Sequence, residues 1–342
     1  MARGDFDFIN SRLAYSESEK SWWVDLINTD CIWYDMIVNP PDDISTNNII
    51  KKYLSSIEKQ VRENCEKRFI YFLGSRKKLR FSIKRKPRYN PFTKNIVFTL
   101  LIGKEERKFR IKYSFRKLTS DGEVKITPIL RVTEKFLYIE HEDGNVFVIS
   151  VHDFVKENYI DLGIHTEVHY VGYTRHPHKR PVDLIHRGLS KMLYSVSNDD
   201  NDFFVYFSLF NPRVISLNNK CNIMFNVSNS QLDEVDVDNE GRVIENCFIR
   251  YFDPKIQDDD KDSKRPDLNK MFLDLVRNKM IKKISVNLQY EMKNEYFCFY
   301  SKVVPPQSHH FFVLDLTNDK INIYRDKDMM TQMALSMGYD DD

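Results

Sequence analysis

Residues 165–186 concentrate side chains that can act on a phosphodiester. This stretch holds five of the nine histidines of the chain. Gly172 ends a predicted strand and allows a tight turn, and the helix predicted after it can bring Arg180 and His186 back toward that strand end. An arginine fork can stabilise charge on a phosphate, and a histidine can transfer a proton near neutral pH. The combination suits phosphodiester chemistry.

A second polar stretch lies downstream, at residues 244–257. It contains Glu245 on a predicted helix and ends with the amide residue Gln257. Upstream of it, the Tyr-Val-Gly tripeptide at residues 170–172 is followed by Arg180, eight residues after the glycine. The order of these motifs along the chain resembles that of the GIY-YIG nuclease family. Gln257 stands where that family has an asparagine. The resemblance covers residues 159–257 of the 342.

The resemblance implies a metal-dependent endonuclease site. Glu245 would hold one Mg²⁺ (or Mn²⁺) ion on the scissile phosphate, and Arg180 would stabilise the developing negative charge. A tyrosine would help to activate water. This is either Tyr170 of the second tripeptide or Tyr159, in place of the Gly-Ile-Tyr tripeptide that does not occur here. His186 would assist proton transfer or orient that tyrosine.

A basic run at residues 76–88 favours nucleic acid as the partner. The run has no acid and contains eight cations: Arg76, Lys77, Lys78, Arg80, Lys84, Arg85, Lys86 and Arg88. On a β-hairpin such a run would place one row of cations on the open face, where each phosphate contact adds affinity. We also expect Arg175 and Lys179 to bind nucleic acid, with DNA as the substrate. The alternative is a solvated, charged sheet face that protects an edge from aggregation.

The other histidines and the cysteines bear on whether the protein has a metal site or disulfides. His165, Glu167 and His169 alternate along a predicted strand, so they share one face and could form a zinc or manganese site, or simply an exposed edge. His176 and His178 lie in a loop, as surface residues or as phosphate contacts. The five cysteines are far apart without a Cys-x-x-Cys pair, which argues against a disulfide framework and against a structural zinc cluster.

The composition indicates a cytoplasmic protein without a membrane segment. Hydrophobic residues make up 42% of the chain and charged residues 30%. No apolar run approaches the roughly 18 to 20 residues that a bilayer span requires, and the first residues lack the apolar core of a signal peptide. The net charge is only +2, but positive charge is concentrated in one segment, since residues 76–117 carry sixteen Lys/Arg and two acids.

The spacing of apolar residues predicts an α/β (α+β) fold in three parts. Residues 1–150 would form a helical and then β-rich basic domain. Residues 151–258 would form the GIY-YIG-like domain, a small central sheet flanked by helices. Residues 259–342 would add a helix and strands that extend this sheet.

Within these parts, the pattern predicts the elements that position the candidate site. Helices are expected at residues 18–27, 45–72, 182–196, 240–251 and 268–282. A β-rich region is expected at residues 79–151, with strands at residues 168–173 and 203–210, the latter central in its sheet. The acidic stretch at residues 258–266 is expected to be a linker between domains.

The function that this sequence favours is Mg²⁺-dependent hydrolysis of DNA phosphodiester bonds. The runner-up is a catalytically degenerate module that binds nucleic acid or protein in a phage or bacterial conflict system. A third hypothesis is a structural or assembly protein with a charged sheet. A homodimer or another protein partner is compatible with each of them.

Overall fold

A large mixed β-sheet dominates the fold, as a computed structural model shows. The structure describes residues 3–39, 46–64, 67–120, 122–140, 144–179, 187–218, 220, 222–290, 294–317 and 321–325. Helices contain 29% of the residues and strands 44%, so the protein is mixed α/β, as the sequence predicts, with more strand than helix.

The first half of the chain contributes the following elements in order. The helices are α1 (Leu13–Ser16), α2 (Asp35–Val38), α3 (Thr46–Asn64) and α4 (Val151–Glu157), and a 3-10 turn spans Asp7–Ser11. The strands are β1 (Lys20–Trp33), β2 (Phe69–Lys77), β3 (Leu79–Phe81), β4 (Arg88–Asn90), β5 (Asn95–Ile102), β6 (Arg107–Tyr113), β7 (Phe115–Thr119), β8 (Gly122–Ile126), β9 (Ile129–Val132), β10 (Phe136–Glu140) and β11 (Val146–Ser150).

The second half alternates more regularly between strands and helices. The helices are α5 (Arg187–Ser195), α6 (Asn229–Leu232), α7 (Val237–Phe252) and α8 (Asp258–Lys279), with 3-10 turns at Lys255–Gln257 and Glu295–Phe297. The strands are β12 (Thr166–Thr174), β13 (Asn201–Asn218), β14 (Ile223–Ser228), β15 (Ile281–Gln289), β16 (Phe299–Tyr300), β17 (His309–Asp315) and β18 (Asn322–Tyr324).

The large sheet has the strand order β16-β12-β2-β13-β1-β15-β17-β18, and β14 pairs with the second half of β13. The central strand β13 pairs antiparallel with both β2 and β1. Its residues Phe203–Phe207 are buried without interruption, as expected for a strand that is covered on both faces. The sheet takes strands from each of the ranges 1–150, 151–258 and 259–342.

The two faces of this sheet carry different helices. On one face Tyr170 of β12 stacks on Tyr71 of β2, and Gly188 of α5 lies directly against the ring of Tyr170. On the other face Phe72 of β2 meets Phe248 of α7, with ring centroids 5.1 Å apart. The two faces therefore form separate apolar clusters, with α3 and α5 on one side and α7 on the other.

Smaller sheets form a β-rich region at residues 79–150, which confirms that prediction. β3, β5, β4 and β6 make a four-stranded antiparallel sheet, β7 pairs with β8, and β10 lies between β9 and β11. On the inner face of the four-stranded sheet, Phe81 and Phe98 pack against Phe154 of α4. This contact attaches the sheet to the rest of the protein and leaves its other face open.

Two predicted elements are wrong. Residues 18–27 are not helical but begin β1, where Trp22 and Val24 are buried in period-2 alternation between β13 and β15. Residues 258–266 are not a linker, because they form the first turns of α8. Acidic residues are favourable both at a helix N-terminus and in a solvated linker. The acidic run alone therefore does not distinguish the start of a helix from a linker.

The other predicted helices and strands given above overlap elements of the same type in the described residues, with different bounds. The strands at residues 168–173 and 203–210 and the helix at residues 240–251 are confirmed. The helix predicted at residues 45–72 corresponds to α3, which spans Thr46–Asn64. The aromatic segment from Phe69 belongs to β2. No helix in the described part of the chain has both the length and the apolar character to cross a bilayer.

Candidate functional site

The open face of the four-stranded sheet is a row of cations. Along β6, exposed Lys108, Arg110 and Lys112 alternate with inward-facing residues. Across the sheet, Val97 of β5 lies between Lys112 and Arg88 of β4, so Arg88 joins the same face. We call Arg88, Lys108, Arg110 and Lys112 the basic sheet face.

The strand β5, which pairs with β6, contributes no acidic residue to the basic sheet face. The residues of β5 opposite Lys108, Arg110 and Lys112 are Leu101, Thr99 and Val97. No ion pair involves these three cations or Arg88 in the ranges that the structure describes. Like charges that are held side by side repel each other, and an anionic partner would relieve this repulsion.

An aromatic side chain lies at the end of this sheet. Phe92 is 95% exposed in the turn between β4 and β5. The turn is ordered by Asn90, whose Oδ1 accepts hydrogen bonds from the backbone N–H groups of Phe92 and Thr93 at 3.0 and 3.2 Å. Lys94, at φ 53°, completes the turn. An exposed ring beside cations is a surface on which a nucleic-acid base can stack.

The structure divides the predicted nucleic-acid-binding residues into two groups. Lys84, Arg85, Lys86 and Arg88 are exposed, and so are Arg175 and Lys179 in the loop after β12. The others bond within the protein: Lys77 pairs with Asp200, Lys78 donates to the carbonyl of Asn198, and Arg76 and Arg80 are held by internal carboxylates. The basic run is therefore not one continuous binding strip.

Arg76 is an internal structural residue. Its side chain is 2% exposed and donates from Nη2 to Glu295 Oε1 at 2.6 Å and from Nη1 to the Glu295 carbonyl at 2.7 Å. The guanidinium lies 3.7 Å from the ring centre of Tyr296. The contacts that position Arg76 are thus supplied from within the protein.

Arg80 belongs to a second buried polar group, centred on Asp202. Arg80 donates to both carboxylate oxygens of Asp202 at 2.8 and 3.0 Å, and His152 Nε2 lies 2.8 Å from Oδ2. Burial opposes the charge on Asp202, but the hydrogen bonds from His152 and Arg80 leave its pKa lowered. Burial likewise lowers the pKa of His152. Asp202 and His152 are sealed from solvent, so this group connects β3, α4 and β13 rather than binding a substrate.

The sheet separates two of the residues that were predicted to act together. Tyr170 is buried on the face covered by α3 and α5, whereas Glu245 is carried by α7 on the opposite face. Tyr159 lies in the loop after α4, with φ 51° and 58% of its surface exposed. Arg180 and His186 lie outside the described residues.

Glu245 instead lies one helical turn after a different arginine, Arg242, which bonds to a different tyrosine, Tyr173. Arg242 precedes Glu245 by three residues on α7, and its Nε donates to the hydroxyl of Tyr173 at 3.2 Å. The hydrogen bond with Tyr173 is the main cause that raises the pKa of Arg242, and the charge of Glu245 contributes to the same effect. Sequence reasoning missed this group, although the spacing of Arg242 and Glu245 on a predicted helix could have indicated it.

Gln257 has a structural role. Its Nε2 donates to the carbonyl of Val171 at 2.8 Å, and its Oε1 accepts from the N–H of Val171 at 2.9 Å. The amide thus substitutes for a neighbouring strand at the edge of β12, where β16 pairs only with Thr166 and Glu167. Because both ends of the amide are engaged and Gln257 is 1% exposed, it does not face a substrate.

The structure does not bring His165, Glu167 and His169 together as a set of three ligands, although His169 Nε2 lies 4.0 Å from Glu167 Oε2. His169 turns inward and bonds to Ser75 Oγ at 2.8 Å, next to an irregularity in the pairing of β12 with β2. Among the residues that the structure describes, the metal-capable set of three is instead Glu58, His176 and His178, whose ligand atoms lie within 4.8 Å of one another. The two histidines were considered from the sequence, but Glu58 was not.

Comparisons with protein-family models, with curated proteins and with solved structures found no match to this chain.

Proposed function

We propose that the protein binds nucleic acid, with DNA as the first candidate, through the basic sheet face. The observation that carries this proposal is the row of exposed, unneutralised cations on one face of an ordered sheet. From Lys108 to Lys112 this row spans roughly 14 Å at about 3.4 Å per residue. The three cations of this row stand roughly 7 Å apart, so they can contact about three phosphates of one nucleic-acid strand.

Phe92 supplies a second type of contact at the end of the row. Its ring is exposed on a turn that hydrogen bonds hold in one conformation. Stacking of a base on an aromatic ring contributes roughly 1–3 kcal/mol and is tolerant of sequence. The pairing of phosphate contacts with a stacking ring favours binding of single-stranded segments without strong sequence preference.

Salt-dependent binding of labelled oligonucleotides tests this proposal. Fluorescence anisotropy would compare the wild type with the triple variant Lys108→Gln, Arg110→Gln, Lys112→Gln on single-stranded and duplex DNA. Each lost phosphate contact lowers the slope of log K against log salt by about 0.7 to 0.9. The triple variant should therefore bind more weakly and show a slope that is smaller by roughly 2 to 3.

The matched control removes three exposed cations elsewhere, with Lys270→Gln, Arg277→Gln and Lys302→Gln. It has the same net charge as the test variant and should bind as the wild type does. Equal weakening in both variants would show that affinity follows the overall charge and not the basic sheet face. RNA of the same sequence in the same assay would determine which nucleic acid is preferred.

Hydrolysis of the bound phosphodiester is a second candidate function. The grouping of Glu245 with Arg242 and Tyr173 beside β12 favours it. In such a site Glu245 would bind one Mg²⁺ or Mn²⁺ ion, which retains several waters, and Arg242 would stabilise charge on the phosphate. Arg180 and His186 remain proposed participants from the family resemblance.

Nicking of supercoiled plasmid in Mg²⁺ or Mn²⁺ tests the hydrolysis proposal. Glu245→Gln and Arg242→Ala should abolish nicking at unchanged folding. Arg277→Ala, an exposed arginine of α8 that also belongs to the control set of the binding assay, is the control and should nick as the wild type does. If the wild type binds plain, modified and single-stranded DNA but cuts none of them, the hydrolysis proposal is refuted and only the binding function stands.

A further inference from the structure

Glu58, His176 and His178 bring a carboxylate and two imidazoles together at one point. Glu58 lies on α3, and the two histidines lie in the loop that follows β12. His176 Nδ1 is hydrogen-bonded to Glu58 Oε1 at 2.9 Å, and His178 Nδ1 is 2.8 Å from Glu58 Oε2. Each histidine thus faces a different oxygen of the same carboxylate.

The orientation of His178 differs from that of a hydrogen-bonded histidine. Its Nδ1 is buried and close to Glu58, yet it has no hydrogen-bond partner. The ring nitrogen is therefore not directed at the carboxylate oxygen beside it. Ligands of a metal ion have this relation, because each donor atom is directed at the ion and not at its neighbouring donor.

The spacing of the donor atoms is close to that of a metal site. Zinc bonds of about 2.0–2.2 Å place neighbouring donors roughly 3.0–3.4 Å apart, depending on the coordination geometry. The two contacts with Glu58, of 2.8 and 2.9 Å, would need to lengthen by about a few tenths of an ångström to admit an ion, and the three ligand atoms lie within 4.8 Å of one another.

The loop that carries the histidines is ordered by local bonds. The N–H of His176 donates to Thr174 Oγ1 at 3.0 Å, and the N–H of Lys179 donates to the carbonyl of His176 at 3.1 Å. Pro177 between the two histidines is buried and restricts the backbone. The imidazoles are thus held in place before an ion binds, which lowers the cost of binding.

We propose that Glu58, His176 and His178 bind a divalent transition-metal ion of the Zn²⁺ class. Imidazole nitrogens select such ions over Mg²⁺ and Ca²⁺, which prefer oxygen ligands. Three protein ligands leave at least one position for water or for an anionic ligand, as in open zinc sites. Arg62 Nη2 lies 3.6 Å from Glu58 Oε1, and exposed Arg175 and Lys179 are next to the two histidines in the sequence, so cations close to the site suit an anionic group at that position.

Zinc retention by the full-length protein tests this assignment. Protein stripped with a chelator would be dialysed against Zn²⁺, then against metal-free buffer, and its zinc content measured by mass spectrometry. The wild type should retain about one ion per chain, and Glu58→Gln and His178→Gln should lose it, with affinity reduced at least about tenfold. Excess Mg²⁺ should not displace the ion.

His165→Gln is the matched control, because His165 lies at the opposite end of β12 from His176 and His178 and outside the donor set. It should retain zinc as the wild type does, and near-UV circular dichroism should show that all variants are folded. The assignment is overturned if the wild type retains no zinc, if Glu58→Gln and His178→Gln retain as much as His165→Gln, or if Mg²⁺ removes the ion. These readouts are independent of nucleic-acid binding.

Discussion

Replacing Arg76 by methionine should strongly destabilise the protein, although Arg76 belongs to the basic run that was predicted to bind nucleic acid. The variant removes the cation from a pair in which Arg76 and Glu295 have side chains only 2% and 5% exposed. Glu295 would keep its hydrogen bonds from the backbone N–H groups of Leu162 and Ile164, at 2.8 and 3.1 Å, but its charge would be left without a cation.

The magnitude follows from the cost of an unpaired buried charge. Breaking a buried ion pair by removing one partner typically costs about 3–5 kcal/mol. Loss of the hydrogen bond to the Glu295 carbonyl and of the contact with Tyr296 acts in the same direction. We therefore expect the free energy of unfolding of Arg76→Met to fall by at least about 3 kcal/mol.

Equilibrium urea unfolding measures this effect, with exposed Lys84→Met as the control. Lys84→Met should unfold close to the wild-type midpoint. The double variant Arg76→Met, Glu295→Gln should lose less stability than the sum of the two single variants, since the unpaired charge is then absent. An Arg76→Met protein as stable as Lys84→Met would refute the conclusion that Arg76 is an internal residue.

Three further predictions concern residues around the large sheet. Burial lowers the pKa of His310 to about 3. An unfolded histidine titrates near about 6.5, so stability should fall as the pH drops from about 6.5 towards 3, by up to roughly 4–5 kcal/mol. His310→Gln should flatten this part of the curve of unfolding free energy against pH. An unchanged curve would contradict the conclusion that burial lowers the pKa of His310. Gly172→Ala should lower stability by about 1–3 kcal/mol, because a Cβ there would lie 2.7 Å from Tyr71 Cε1; Tyr71→Leu in the same chain should restore part of the loss in thermal midpoint. Gln257→Ala should cost about 1–3 kcal/mol and speed amide hydrogen exchange at Val171, whereas unchanged exchange would exclude the proposed edge contact.

The sequence predicts best the elements whose pattern is local. The apolar run in β13 and the helical spacing in α7 identify these elements without knowledge of their neighbours. The pattern of residues 18–27 predicts a helix where β1 forms, because the partners β13 and β15 lie far along the chain and supply the hydrogen bonds that stabilise the strand. Tertiary pairing here outweighs the local signal.

The candidate site was predicted only in part for the same reason. The basic run identified the exposed cations Lys84 to Arg88, but the inward position of Arg76 depends on Glu295, more than two hundred residues away. The metal-capable set could not be predicted from the histidines alone, because Glu58 is supplied by a different helix. Residues that are separated in sequence meet only through the topology of the sheet.

Cross-linking of bound DNA would test the central claim most directly. Ultraviolet irradiation of the complex with a single-stranded oligonucleotide, followed by peptide mass spectrometry, identifies the segments in contact. The account predicts cross-links in the turn that carries Phe92 and along β6, which disappear in the Lys108→Gln, Arg110→Gln, Lys112→Gln variant. Cross-links confined to α8 or to the loop after β12, and unaffected in that variant, would contradict it.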